Sequence, residues 1–220
     1  MTDPLDRRLG LPAADFYERI REAAFALLLA GRRAIAPAEI AAATGAPARG
    51  LPAMLDQLAG AGWLDRDEDG RVSGAAGLSL TTGPHRIALE GHDIRTWCAF
   101  DSIGIAAALG ADATIRTDCA VCGKAIALET HAGQPPADRP ERLWLASGGT
   151  DLRGDFCDPT VLLCTSGHAA VWAERQGGHG RAVDLAEAAY LGAEGWASCA
   201  AAAGVIRDPT RHDPDLAVRD

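Results

Sequence analysis

The 220-residue sequence predicts an α+β protein, with a winged-helix-like helical module followed by a mixed β-sheet domain with flanking helices. Three observations carry that expectation. The first third carries apolar residues at helical spacing, a short Gly turn between two apolar runs follows, and the remainder alternates short β-like runs with helices. Apolar residues make up 48% and charged residues 23%, which is the balance of a chain able to bury a core and excludes disorder over most of its length.

The elements follow in order. In Asp15 to Ala30, Phe16, Ile20, Ala23, Ala24, Leu27 and Leu28 recur at i, i+3 and i+4, so a helix runs to Gly31. Pro37 opens a short second helix that ends at Gly45, and Pro47 to Ala59 forms a third, with Leu51, Met54, Leu55 and Leu58 on one face. Trp63 to Arg66 and Arg71-Val72, joined by Asp69-Gly70, make a hairpin. Three helices and a hairpin is the order of a winged helix-turn-helix. A DNA reader needs basic charge on its third helix, but this one offers Arg49 alone. The hairpin sets Asp65, Asp67, Glu68 and Asp69 against Arg66 and Arg71. A structural or substrate-covering use is therefore expected, and nucleic acid is not an expected partner.

Residues 1–80 are assigned to this module, 81–206 to the α+β domain and 207–220 to a loosely ordered tail. In the second unit, Ala113–Thr117, Ala125–Glu129, Leu143–Ala146 and Thr160–Cys164 read as strands. A helix capped by Ser166 runs through Arg175, and another runs from Asp184 towards Cys199.

The net charge of −9 argues against capture of polyanions or acidic membranes. The apolar stretch from Ala23 to Gly31 is too short to span a bilayer. With no signal-peptide layout, the expected location is the cytoplasm. There six cysteines are reduced thiols, available for packing, metal binding or nucleophilic chemistry.

Arg95-Thr96-Trp97-Cys98-Ala99-Phe100-Asp101 is the most informative run. Cys98 and Asp101 are three apart, so at a helix start both side chains meet on one face, and free backbone N–H groups there stabilise a thiolate. The alternative is a buried Cys98 packed beside Trp97, with Asp101 a surface charge. Cys119-Ala120-Val121-Cys122 is a C-x-x-C, half of a zinc or copper site, and it reads equally as a redox pair or as plain turn thiols. Cys157 and Cys164 have the wrong spacing to complete it as a simple knuckle. His85, His92 and His168 share no ligand spacing and read as solvated or capping residues.

Thr96-Trp97-Cys98-Ala99-Phe100-Asp101 resembles the signature of the alkylmercury lyases. Thr117-Asp118-Cys119-Ala120, Asp155-Phe156-Cys157 and the run from Trp172 to Ala188 resemble further stretches of that family in the same order. The resemblance covers about 83–200. It implies Cys98 and Cys157 as the thiol pair that holds mercury and Asp101, beside the metal, as the proton carrier. Organomercurial small molecules are the implied substrates, and the products are a hydrocarbon and Hg(II) on the two cysteines. It implies no required cofactor. Low-molecular-weight thiols and a mercuric reductase are implied partners for release. Cys157 is followed by Asp158-Pro159, where members of the family can carry a second cysteine. Two other functions stay open at this point: a cysteine-based metal binder or sensor, and a family relative recruited to non-mercury biosynthetic chemistry.

Overall fold

The computed structural model describes residues 15–207; the expected tail, from 208 on, lies outside them. The first helix, α1 (Asp15–Gly31), buries Ile20, Ala23, Ala24 and Leu28 of the face that the spacing predicts, and Phe25 beside them, while Phe16 at its start is exposed. Helices α2 (Pro37–Thr44) and α3 (Leu51–Gly60) follow. Helix α3 starts later than the expected Pro47, because the Pro47 carbonyl accepts the Gly50 and Leu51 N–H groups in a tight turn and Pro52 occupies the first helical turn, where its missing N–H costs nothing.

Seven strands form one sheet: β1 (Leu64–Arg66), β2 (Val72–Ala75), β3 (Leu78–Ser79), β4 (His85–Leu89), β5 (His92–Thr96), β6 (Ala113–Asp118) and β7 (Ala125–Thr130), in the order β1-β2-β3-β5-β4-β6-β7. It runs without a break through residue 80. A smaller sheet has the order β10-β8-β9, from β8 (Arg142–Ala146), β9 (Val161–Leu163) and β10 (Gly180–Val183). The fold is α+β, but the sheets are antiparallel in every ladder among the described residues, which corrects the mixed sheet expected from the sequence. The physical reason lies in the connections. Short turns join β1 to β2, β2 to β3, β4 to β5 and β6 to β7, and the crossover after β5 delivers β6 beside β4 rather than beside β5.

The crossover helix, α4 (Ala99–Leu109), is apolar nearly all round and buried from Ala99 to Ala107, as such a helix must be. It is held between the large sheet and α6 (Leu185–Gly195). Its close approach to α6 depends on two glycines. A Cβ on Gly104 would lie 2.5 Å from the Trp196 ring, and one on Gly192 only 2.2 Å from the Gly104 Cα. The helix expected from Asp184 to Cys199 is two helices, α6 and α7 (Ala197–Arg207), broken at Trp196. A tertiary contact accounts for the break: the Trp196 indole N–H donates to the Ala76 carbonyl at 2.7 Å. Helix α5 (Ser166–Arg175) is capped by Thr165, whose side chain accepts the His168 N–H, and not by Ser166. No described helix is long and apolar enough to cross a membrane.

Candidate active site

Cys98 sits at the N-cap of α4 with extended backbone (φ −133°, ψ 171°), and Asp101 is the third helical residue. This is a capping box with a thiol in the place usually held by a hydroxyl. The Cys98 backbone N–H donates to Asp101 Oδ2 at 2.6 Å, and the Cys98 sulfur lies within 4.8 Å of an Asp101 oxygen. Sequence spacing anticipates this pair.

The third member arrives from a distance. Leu152–Cys157 forms a π-helical turn whose start is capped by Asp151, and its last residue, Cys157, brings its sulfur to the pair. The Cys98 and Cys157 sulfurs and an Asp101 oxygen lie within 4.8 Å of one another, and all three residues are buried. Two backbone bonds fix the return of the chain: Thr160 N–H donates to the Cys157 carbonyl at 3.1 Å, and Ala99 N–H donates to the Thr160 carbonyl at 3.3 Å.

Burial sets the protonation of this cluster. It pushes the Cys98 thiol well above its ordinary range, helped by the Cys157 thiol and the Asp101 charge, so Cys98 holds its proton at neutral pH. Burial also pushes Asp101 up to about 6. The Cys98 N–H and thiol, the Arg153 guanidinium and the Trp97 backbone N–H oppose that rise. A carboxyl group that titrates near neutrality beside a buried thiol is equipped to relay the proton of that thiol.

A narrow apolar pocket opens on Asp101 and Cys157, lined by Trp63, Trp97, Phe156 and Trp196. Cys199, buried in α7, also reaches this lining. Three contributors are invisible to local sequence reading. Gly77, in the left-handed region at φ +94° in the β2–β3 turn, faces Asp101, and a Cβ there would lie 2.7 Å from the Asp101 Cγ. Arg153 stacks on the Trp97 ring with its guanidinium carbon 3.2 Å from the centroid. Asp65 of β1 then ties the pair down, accepting from Arg153 at 2.8 Å and from the Trp97 indole N–H at 2.8 Å. Trp63 and, from the first helix, Arg21 thus line the pocket, and Asp65 of the hairpin holds Arg153 beside it.

Cys119 and Cys122 belong to a separate cluster with Cys164 and His168. His168 therefore stands among thiols, contrary to its reading as a capping or solvated residue. His85 is buried against Thr117, 2.6 Å from its hydroxyl, and His92 is exposed beside the Glu90 carbonyl.

The family model described as MerB, alkylmercury lyase, matches residues 78–203. The alkylmercury lyase of Bacillus cereus is 26% identical over 169 residues, 75% of this chain and 75% of that protein. That of Staphylococcus epidermidis is 28% identical over 138 residues, 61% of this chain and 62% of its own. The fold is similar to that in the crystal structure of the mercury-bound form of MerB2, with a TM-score of 0.77 and 23% identity over 89% of this chain and 96% of that one.

Proposed function

This chain belongs to the alkylmercury lyase family, and from that premise we propose that it cleaves the carbon–mercury bond of organomercurials by protonolysis at Cys98, Cys157 and Asp101. The observation that carries the proposal is the closure of two thiols and one carboxyl group within 4.8 Å, with Cys157 and Asp101 lining an apolar pocket and Cys98 buried behind them. A metal trap needs the thiols but has no use for a buried acid.

The residues account for the reaction with its atoms balanced. Mercury(II) is a soft ion that prefers thiolates. In the first step Cys157 exchanges onto the mercury of R–Hg–X, and its proton leaves with X. Cys98 then bonds the same mercury while its proton passes to the Asp101 carboxylate, an oxygen of which lies within 4.8 Å of that sulfur. Two thiolates on the metal push electron density onto the bound carbon. Asp101 delivers the proton there, the carbon–mercury bond breaks, and R–H leaves with Hg(II) held by Cys98 and Cys157. As both thiols give up their protons the local charge becomes negative, which raises the Asp101 pKa further and favours the protonated donor. The apolar walls of Trp63, Trp97, Phe156 and Trp196 suit the organic group and keep water from the reacting carbon.

We read the three helices and hairpin of residues 1–80 as a winged-helix-like module used as a cover, with Asp65 as its latch to Arg153 and Trp97. Low-molecular-weight thiols would strip Hg(II) from the product complex, directly or by passing it to a mercuric reductase, in the reducing cytoplasm that keeps the cysteines as thiols. No resident cofactor enters the scheme. The test is incubation of the purified protein with phenylmercury and excess thiol. Benzene is expected from the wild type, and Cys98→Ala and Cys157→Ala should each abolish it. Full release by Cys157→Ala would remove Cys157 from the mechanism.

A further inference from the structure

The C-x-x-C turn finds its missing half in space. Cys119 and Cys122 lie in the turn between β6 and β7, while Cys164 directly follows β9 and His168 lies in the first turn of α5. One ligand atom from each of the four lies within 4.8 Å of the others. The Cys122 and Cys164 sulfurs are 3.8 Å apart, and His168 Nδ1 is 3.5 Å from Cys119 Sγ and 3.1 Å from Cys164 Sγ. A tetrahedral zinc ion with bonds of about 2.3 Å to sulfur and about 2.0 Å to nitrogen requires sulfur–sulfur edges of about 3.8 Å and sulfur–nitrogen edges of about 3.5 Å. Two of these three edges match these lengths, and the third needs a shift of a few tenths of an ångström.

The backbone is arranged for metal-bound sulfur as well. The turn is tightened by the Cys119 N–H on the Lys124 carbonyl and the Gly123 N–H on the Cys119 carbonyl, each at 2.8 Å, with Gly123 in the left-handed region at φ +70°. The Cys164 N–H donates to Cys119 Sγ at 3.5 Å. A backbone donor on this sulfur compensates the charge of a ligating thiolate.

We propose that Cys119, Cys122, Cys164 and His168 bind one zinc ion in a closed tetrahedral site, distinct from the cluster of Cys98, Cys157 and Asp101. Three thiolates and an imidazole suit zinc by ligand type and geometry. Four protein ligands leave no open position, so the ion is structural. It clasps the β6–β7 turn to the β9–α5 junction, two segments that otherwise meet through bonds such as Ala120 N–H to the Leu162 carbonyl at 3.3 Å.

The experiment is metal analysis of the full chain, produced in zinc-supplemented medium without mercury and purified without chelator. About one equivalent of zinc per chain is expected. Cys122→Ser, at the exposed ligand, and His168→Ala should each retain less than about a tenth of it, while Cys157→Ser keeps it. After demetallation, Co(II) should give the wild type the thiolate charge-transfer and intense visible bands of a tetrahedral site, absent from Cys122→Ser. The Co(II) titration of the wild type decides the question even where a variant fails to fold. A folded protein that neither contains zinc nor takes up one Co(II), copper in place of zinc, or zinc lost with Cys157 but kept without Cys122, would each overturn the proposal.

Discussion

Asp101 accepts the backbone N–H of Cys98 at 2.6 Å and keeps an oxygen within 4.8 Å of the Cys98 sulfur, so a single carboxylate both caps the helix and stands ready to move the proton that protonolysis consumes. The capping role fixes where the carboxylate points. The buried role fixes how readily it is protonated.

That double role gives folding stability a pH signature. Asp101 rises from 3.8 for a free side chain to about 6 in the fold, so the folded state binds its proton more tightly than the unfolded chain does. The resulting stabilisation is complete below about pH 4 and is lost as pH rises through about 6, by an amount on the order of 3 kcal/mol. Urea unfolding of the wild type and Asp101→Asn between pH 4 and 7.5 checks this. The wild type should lose stability relative to the variant as pH rises; a constant difference would mean that burial does not shift Asp101.

Arg153 pulls Asp101 downward against that burial. Arg153→Gln removes the cation, so the pKa of Asp101 rises and the rise of kcat/KM that accompanies formation of the proton-accepting carboxylate in the free enzyme moves to higher pH. The same variant frees Trp97 from its stack and from the Asp65 latch, which should raise KM for aryl substrates. An unmoved pH profile would leave Arg153 with packing alone.

Gly77 couples a backbone turn to the acid. An alanine there carries the strain of φ +94° and drives its Cβ against the Asp101 Cγ, at a cost on the order of 1–3 kcal/mol. Gly45 also has positive φ but open space around it, so Gly45→Ala measures strain alone. Gly77→Ala should slow hydrocarbon release well beyond Gly45→Ala at matched loss of melting temperature. Equal activities would remove Gly77 from the positioning of Asp101.

Cys199 lines the pocket without belonging to the triad. Cys199→Ala should leave turnover within a few-fold of the wild type, measured as benzene from phenylmercury, whereas a loss as deep as that of Cys98→Ala would place a third thiol in the mechanism.

How much of this is legible in the sequence depends on the distance over which each contact is made. Cys98 and Asp101 meet through helix spacing, and α1 and the hairpin of β1 and β2 follow from apolar periodicity and a Gly turn. Cys157 becomes readable through its resemblance to a family segment, since nothing local announces a π-helical turn at Leu152–Cys157. Gly77, Arg153 and Asp65 act across the fold, where a turn glycine and two surface-type charges carry no pattern. The partners of Cys119 and Cys122 are hidden in the same way, because Cys164 and His168 lie more than forty residues on and are delivered by the packing of β9 on β6. The break at Trp196 also escapes helical periodicity, because the indole bond to Ala76 that accompanies it spans 120 residues.

The central claim is that Asp101 supplies the proton, and one single-turnover measurement addresses it: phenylmercury mixed with excess protein, with bound mercury and released benzene followed together. Asp101→Asn should still take up mercury through Cys98 and Cys157, with the Cys98 proton passing to buffer instead of to a carboxylate, while benzene release falls about 100-fold or more, the scale of losing a positioned general acid. Benzene released by Asp101→Asn at the wild-type rate would contradict the account and assign the proton to water or to a thiol.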